Sequence, residues 1–127
     1  MVSAAGAIFL MIAVILGALG SHAIKPHISA EMLIRYDLAL QYHFIHALAM
    51  LVIGQSKILL DKRLGRAGVG VLTGGWLIFC GGLYLYSMTS IRIFSKITPI
   101  GGLMMIVGWL LIAIQYLLIA RRNRNET

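Results

Sequence analysis

The sequence predicts an all-α integral membrane protein: a bundle of four transmembrane helices with glycine-rich interfaces, forming a single domain over residues 1–127. Three observations predict it. The first is composition. Of the 127 residues, 60% are hydrophobic and 12% charged, and the mean hydropathy is +0.91. Soluble domains carry about 25% charged residues, so these few charges could not cover a water-facing surface. The same apolar excess excludes a disordered chain. The second observation is where the charges fall. They are absent from residues 1–24, 38–56, 67–91 and 97–120. A helix needs about 20 apolar residues to cross a hydrocarbon core about 30 Å thick. Backbone exposed to lipid must satisfy its own polar groups, which favours helices here. The third observation is the spacing of the 14 glycines, which fall almost entirely within or beside these runs.

The first span is read as residues 3–24. A signal peptide is the competing reading, but the run lacks a basic leading region and exceeds the usual apolar length. Gly6, Ala13, Gly17 and Gly20 fall within about 60° of one another on a helical wheel, so this face meets a neighbour. Pro26 stops the extension of the span. Ser29 then caps the next helix, with Glu31 in its first turn. Residues 30–37 form an interfacial helical segment, with Glu31 and Arg35 as a favourable i,i+4 pair. The second span is read as residues 38–56. Tyr36 and Tyr86 suit a membrane interface.

The third span is read as residues 67–90. Gly68, Gly75 and Gly82 recur every seven residues, and Gly74 and Gly81 form a neighbouring file. Gly101 and Gly108 repeat the interval in the fourth span, residues 98–120. Thr98 and Pro99 fit an N-cap and a first-turn proline. Glycine faces let membrane helices approach closely, and a seven-residue period favours left-handed crossing. Surplus glycine at the helix ends also suits a homo-oligomer.

The net charge of +7 belongs to loops and tail. Lys57, Lys62, Arg63, Arg66, Arg121, Arg122 and Arg124 gather on one side; Lys25, Arg35, Arg92 and Lys96 on the other. The positive-inside rule therefore places both termini in the cytoplasm. The basic residues read as orientation signals, so nucleic acid is not an expected partner; the bilayer is.

Polar groups inside spans are functional candidates by default. The second span holds Gln41, Tyr42, His43 and His46. Tyr42 and His46 share a face. His43 points to an adjacent one and is placed near the headgroups. Tyr84 lies deep enough to need a partner, for which His46 is a candidate, and the Trp109 N–H needs an acceptor. His43 and His46 could begin a metal site, but further ligands are required. Cys80 permits no intrachain disulfide and reads as a small buried residue. No acid pair, C-x-x-C or nucleophile motif occurs within the spans, so no metal, cofactor or catalytic residue is assigned. An enzyme is disfavoured.

The order of motifs resembles a family of small bacterial inner-membrane proteins of the YgdD/YwdK type. Its G-A-F-G-A-H segment is matched by Gly17, Ala18, Leu19, Gly20, Ser21 and His22. Its Y-Q-x-x-H-A-L segment is matched from Tyr42 to Leu48, with His43 where the family has glutamine. Its F-S-G-S-L-Y segment is matched from Phe79 to Tyr84, with Cys80 replacing serine. Its I-T-P-I-G-G segment, followed by G-W, is matched from Ile97 to Gly102 and by Gly108 and Trp109. The resemblance covers almost the whole chain. It implies four helices and a bacterial inner membrane, and it implies no activity. The expected site is therefore a polar network of His22, Tyr42, His46 and Tyr84, with Gln41 and Thr98 as further candidates. The function expected of it is non-enzymatic, namely holding a lipid or small molecule. The alternative is a small transporter or channel component acting as an oligomer.

Overall fold

A computed structural model describes residues 1–125, and every regular element among them is helical. Helix α1 spans Val2–Leu19. It continues through a π turn, Gly20–Ile24, and a 3-10 turn, Lys25–His27, that contains Pro26. The chain turns at Ile28, whose backbone is extended. Helix α2 spans Ala30–Ile53. Short α3 spans Lys57–Leu60, α4 spans Arg63–Thr89 and α5 spans Arg92–Asn125. Four helices are long and apolar enough to cross a membrane.

The start of α2 obeys its sequence signals. The Ser29 hydroxyl accepts from the Met32 N–H at 3.3 Å, and Arg35 pairs with Glu31 at 2.8 Å. Arg35 also lies 5.2 Å from the centre of the Tyr86 ring, tying α2 to α4 at this end. Residues 30–37 are the beginning of α2, one unbroken helix that ends at Ile53, short of residue 56. Tyr36 points into the bundle from the start of α2. It is fully buried, and its hydroxyl donates to the Leu16 carbonyl at 2.6 Å. Gly20 makes room for it, because a Cβ there would come 2.5 Å from Tyr36 Cε1.

The fourth span also differs from its expected start. Helix α5 begins at Arg92, so Thr98 is not an N-cap and Pro99 lies inside the helix. The cause is a tight hairpin. Ser90 takes a left-handed backbone (φ 57°) and donates its N–H to the Tyr86 carbonyl at 2.8 Å, closing α4. The chain re-enters a helix two residues later. Pro99 has no N–H to donate to its own preceding turn. The Thr98 hydroxyl donates to the Phe94 carbonyl one turn back at 2.9 Å. Helix α5 has 34 residues, about 51 Å at 1.5 Å per residue, so its basic ends lie outside the hydrocarbon.

The main packing runs in the order α1, α2, α4, α5. The glycine spacing explains the tightest seam. A Cβ on Gly75 would meet the Gly101 carbonyl oxygen at 2.7 Å, and one on Gly108 would meet the Leu72 backbone nitrogen at 2.5 Å. The buried positions of α5 are Thr98, Gly101, Met105, Gly108, Ile112 and Gln115. Their alternating steps of three and four are the seam of a left-handed pair. The second glycine file behaves differently. Gly70 and Gly81 have no neighbouring heavy atom within 4 Å of a Cβ position, and Gly74 meets only the tip of Met104.

Candidate functional site

An aromatic and imidazole layer crosses the middle of the molecule, and all four long helices contribute to it. Helix α2 supplies Tyr42, His43 and His46. On a helix, residues three apart point about 60° from each other, so the two histidines address different neighbours.

His46 faces α5. The Trp109 indole N–H reaches its Nε2 at 3.3 Å, and its Nδ1 lies 3.0 Å from the Tyr42 carbonyl. An indole N–H can only donate, so Nε2 accepts and Nδ1 carries the proton that bonds the carbonyl. The ring is thereby fixed as one neutral tautomer. Tyr42 stacks on it with 5.8 Å between centroids and 7° between planes, and Phe79 packs against Tyr42 at 4.8 Å.

His43 faces α1 and α4. It is buried among protein side chains, and its Nδ1 lies 3.3 Å from the Tyr84 hydroxyl. Phe9 and Trp76 meet it edge-on at 6.1 and 5.3 Å. Trp76, 1% exposed, lies between the two histidines, 6.3 Å from His46. The Cys80 thiol donates to the Ala39 carbonyl at 3.5 Å, which uses it in packing.

The expected residues divide accordingly. Tyr42 and His46 come together. Tyr84 joins the layer, with His43 as its partner in place of His46. His22 is exposed on the π turn and stands apart. Gln41 is exposed and lines a shallow surface with Ile34, Asp37 and Leu38. Thr98 is buried in the α4–α5 seam, where a Cβ on Gly82 would touch its hydroxyl. Sequence reading missed His43, Trp76, Phe9 and Phe79 as members of the layer. A signal was present: Trp76, Cys80, Leu83 and Tyr84 recur at steps of three and four or stand adjacent, marking one face of α4. No three metal-binding side chains come together among the described residues.

Because α2 and α5 meet mainly through side chains, a groove opens between them. It holds about 290 Å³ and is lined by Tyr42, His46, Phe79, Gly102, Met105, Ile106 and Trp109. Within the described residues the Tyr42 hydroxyl makes no hydrogen bond, and Tyr42 is half-buried on the groove wall.

Residues 16–102 match a family described as a protein of unknown function, DUF423. The chain belongs to this family. The matched stretch contains both histidines, Tyr42, Trp76 and Tyr84; Phe9 and Trp109 lie outside it. DUF423 relatives extend the likeness. The UPF0382 membrane protein YwdK of Bacillus subtilis (strain 168) is 39% identical over 122 residues, covering 88% of this chain and 94% of its own. The UPF0382 membrane protein of Staphylococcus saprophyticus is 38% identical over 115 residues, covering 86% and 90%. That of Staphylococcus aureus (strain bovine RF122) is 36% identical, covering 86% and 88%. No solved structure matches this DUF423 chain. Together with its four apolar helices, the family makes this a membrane protein.

Proposed function

We propose that this protein is a non-enzymatic protein of the bacterial inner membrane that holds an apolar molecule, a lipid chain or a lipid-soluble small molecule, in the groove between α2 and α5. One observation carries the reading. A phenolic hydroxyl without a protein partner stands on the wall of an aromatic groove, within a segment long enough to cross a membrane. An unpaired hydroxyl in hydrocarbon is unfavourable by a few kcal/mol, and a ligand oxygen would relieve it. His46 has both ring nitrogens engaged, so its role is to shape the wall and orient Trp109.

The test is retention of small molecules by the purified protein. Membrane lipids that stay bound through detergent exchange are extracted and identified by mass spectrometry. Gly102→Leu fills the groove, and Gly102 has room for it because a Cβ meets only Phe79 side-chain atoms, at 3.7 Å or more. The expected result is one enriched species in the wild type, reduced in Tyr42→Phe and lost in Gly102→Leu. No enriched species, or equal retention in Gly102→Leu, overturns the reading.

A second reading is favoured by the open glycines. Gly70 and Gly81 leave a smooth strip on α4, which suits self-association of a small transporter or channel component. Dimer-dependent solute flux in proteoliposomes would favour it over the first.

A further inference from the structure

We infer that the end of the bundle carrying α3 holds an anionic phospholipid, its phosphate on Arg66 and one acyl chain in the groove below. The groove holds about 440 Å³ and is lined by Met1, Val2, Gly54, Leu60, Arg66, Val69 and Gly70. It is separate from the layer around His43 and His46.

Its construction matches a lipid at the headgroup boundary. Arg66 stands in the first turns of α4 and is exposed. One guanidinium nitrogen, Nη1, donates to the Leu60 and Asp61 carbonyls at 3.1 and 3.4 Å. These bonds hold the planar group beside the groove. Nε and Nη2 make no bond to the protein among the described residues, and a guanidinium presents such donors to phosphate oxygens in pairs. Gly70 lies four residues after Arg66, on the same helical face and about 6 Å further along the axis. No heavy atom lies within 4 Å of its Cβ position. The charged group thus stands above an apolar wall with a vacant floor.

Charge selects the headgroup. Lys57, Lys62 and Arg63 are exposed at this end of the bundle, and α3 also touches α5, whose end carries Arg121, Arg122 and Arg124. Asp61 is the sole acid of this end among the described residues. Each basic residue near an anionic surface adds to the attraction. That attraction draws anionic lipid in general, whereas the groove beside Arg66 fixes one molecule in place.

The full-length protein in detergent is titrated with phosphatidylglycerol or phosphatidylcholine, and bound lipids are counted by native mass spectrometry. One phosphatidylglycerol should bind about tenfold more tightly than phosphatidylcholine, because both carry the phosphate but the choline ammonium of the second cancels its charge and is repelled by Arg66 and the basic residues of this end. Arg66→Gln keeps a donor for the α3 carbonyls and should remove most of the difference. Gly70→Leu keeps every charge, has space to fold, and should displace the same lipid. Lys96→Gln, at the opposite end, should leave binding unchanged. The inference is overturned if the two lipids bind alike. It is also overturned if Gly70→Leu leaves phosphatidylglycerol binding intact, since the attraction is then surface charge alone. If Gly70→Leu instead breaks a dimer without changing lipid binding, a second copy occupies the groove and the inference fails.

Discussion

His46 shows how one side chain can be fully used without a charge. Its Nε2 accepts from Trp109 and its Nδ1 donates to the Tyr42 carbonyl, at 3.3 and 3.0 Å. Hydrogen bonds between membrane helices average about 0.6 kcal/mol and reach about 1.7 kcal/mol. Trp109→Phe keeps an aromatic ring and removes the donor, so it should destabilise the protein by about 1 kcal/mol, measured by SDS titration of the refolded protein. Tyr84→Phe removes the hydroxyl from His43 and should have a similar or smaller effect, about 0.5–1 kcal/mol. Tyr42→Phe should leave the lipid-free protein more stable in the same titration, because it removes a hydroxyl that has no protein partner and is unfavourable in hydrocarbon. Burial in a span gave Tyr84 and Trp109 the need for a partner. It could not rank His43 against His46, since both lie within reach of a neighbouring helix.

At the scale of the element, the glycines of α4 separate into two kinds that the sequence does not distinguish. Gly75 faces backbone: a Cβ there would lie 2.7 Å from the Gly101 oxygen and the Met105 nitrogen. Gly75→Ala should force the helices apart and destabilise by about 2 kcal/mol, within the range of overpacked cores. Gly81 faces nothing within 4 Å. Gly81→Ala should be neutral or stabilising by up to about 1 kcal/mol through helix propensity alone. Thermal unfolding of the two variants side by side checks the pair, and similar losses in both would contradict the assigned seam. The seven-residue period was legible, and Gly68, Gly75 and Gly82 do line the α4–α5 seam. The start of α5 was not, because Thr98 and Pro99 carry a real N-terminal signal that the Ser90 hairpin overrides.

At the scale of the molecule, the packing order α1, α2, α4, α5 leaves few close backbone contacts between α2 and α5. The Trp109 side chain bridges the gap to His46, and the groove beside it results from that spacing. The distribution of positive charge is expected to set the orientation, with both termini in the cytoplasm. Cysteine labelling checks this, since Cys80 is buried. An impermeant maleimide should label Ser90→Cys in intact cells, and Gln55→Cys only after lysis. The reverse pattern would invert the orientation.

The number of spans and their approximate limits were determined by the sequence alone. Membrane thickness and the cost of charge act along the chain in one dimension, and residues 1–24, 38–56, 67–91 and 97–120 report them directly. The glycine face of α1 was legible for the same reason, through helical period. Which residues meet across the bundle was decided by tertiary structure. His43 went to Tyr84, His46 to Trp109 and Tyr36 to the Leu16 carbonyl, while His22 and Gln41 were left outside. These choices depend on the order and rotation of whole helices. A helix can turn about its axis without changing its hydropathy, so only packing against its neighbours selects the face that becomes the site.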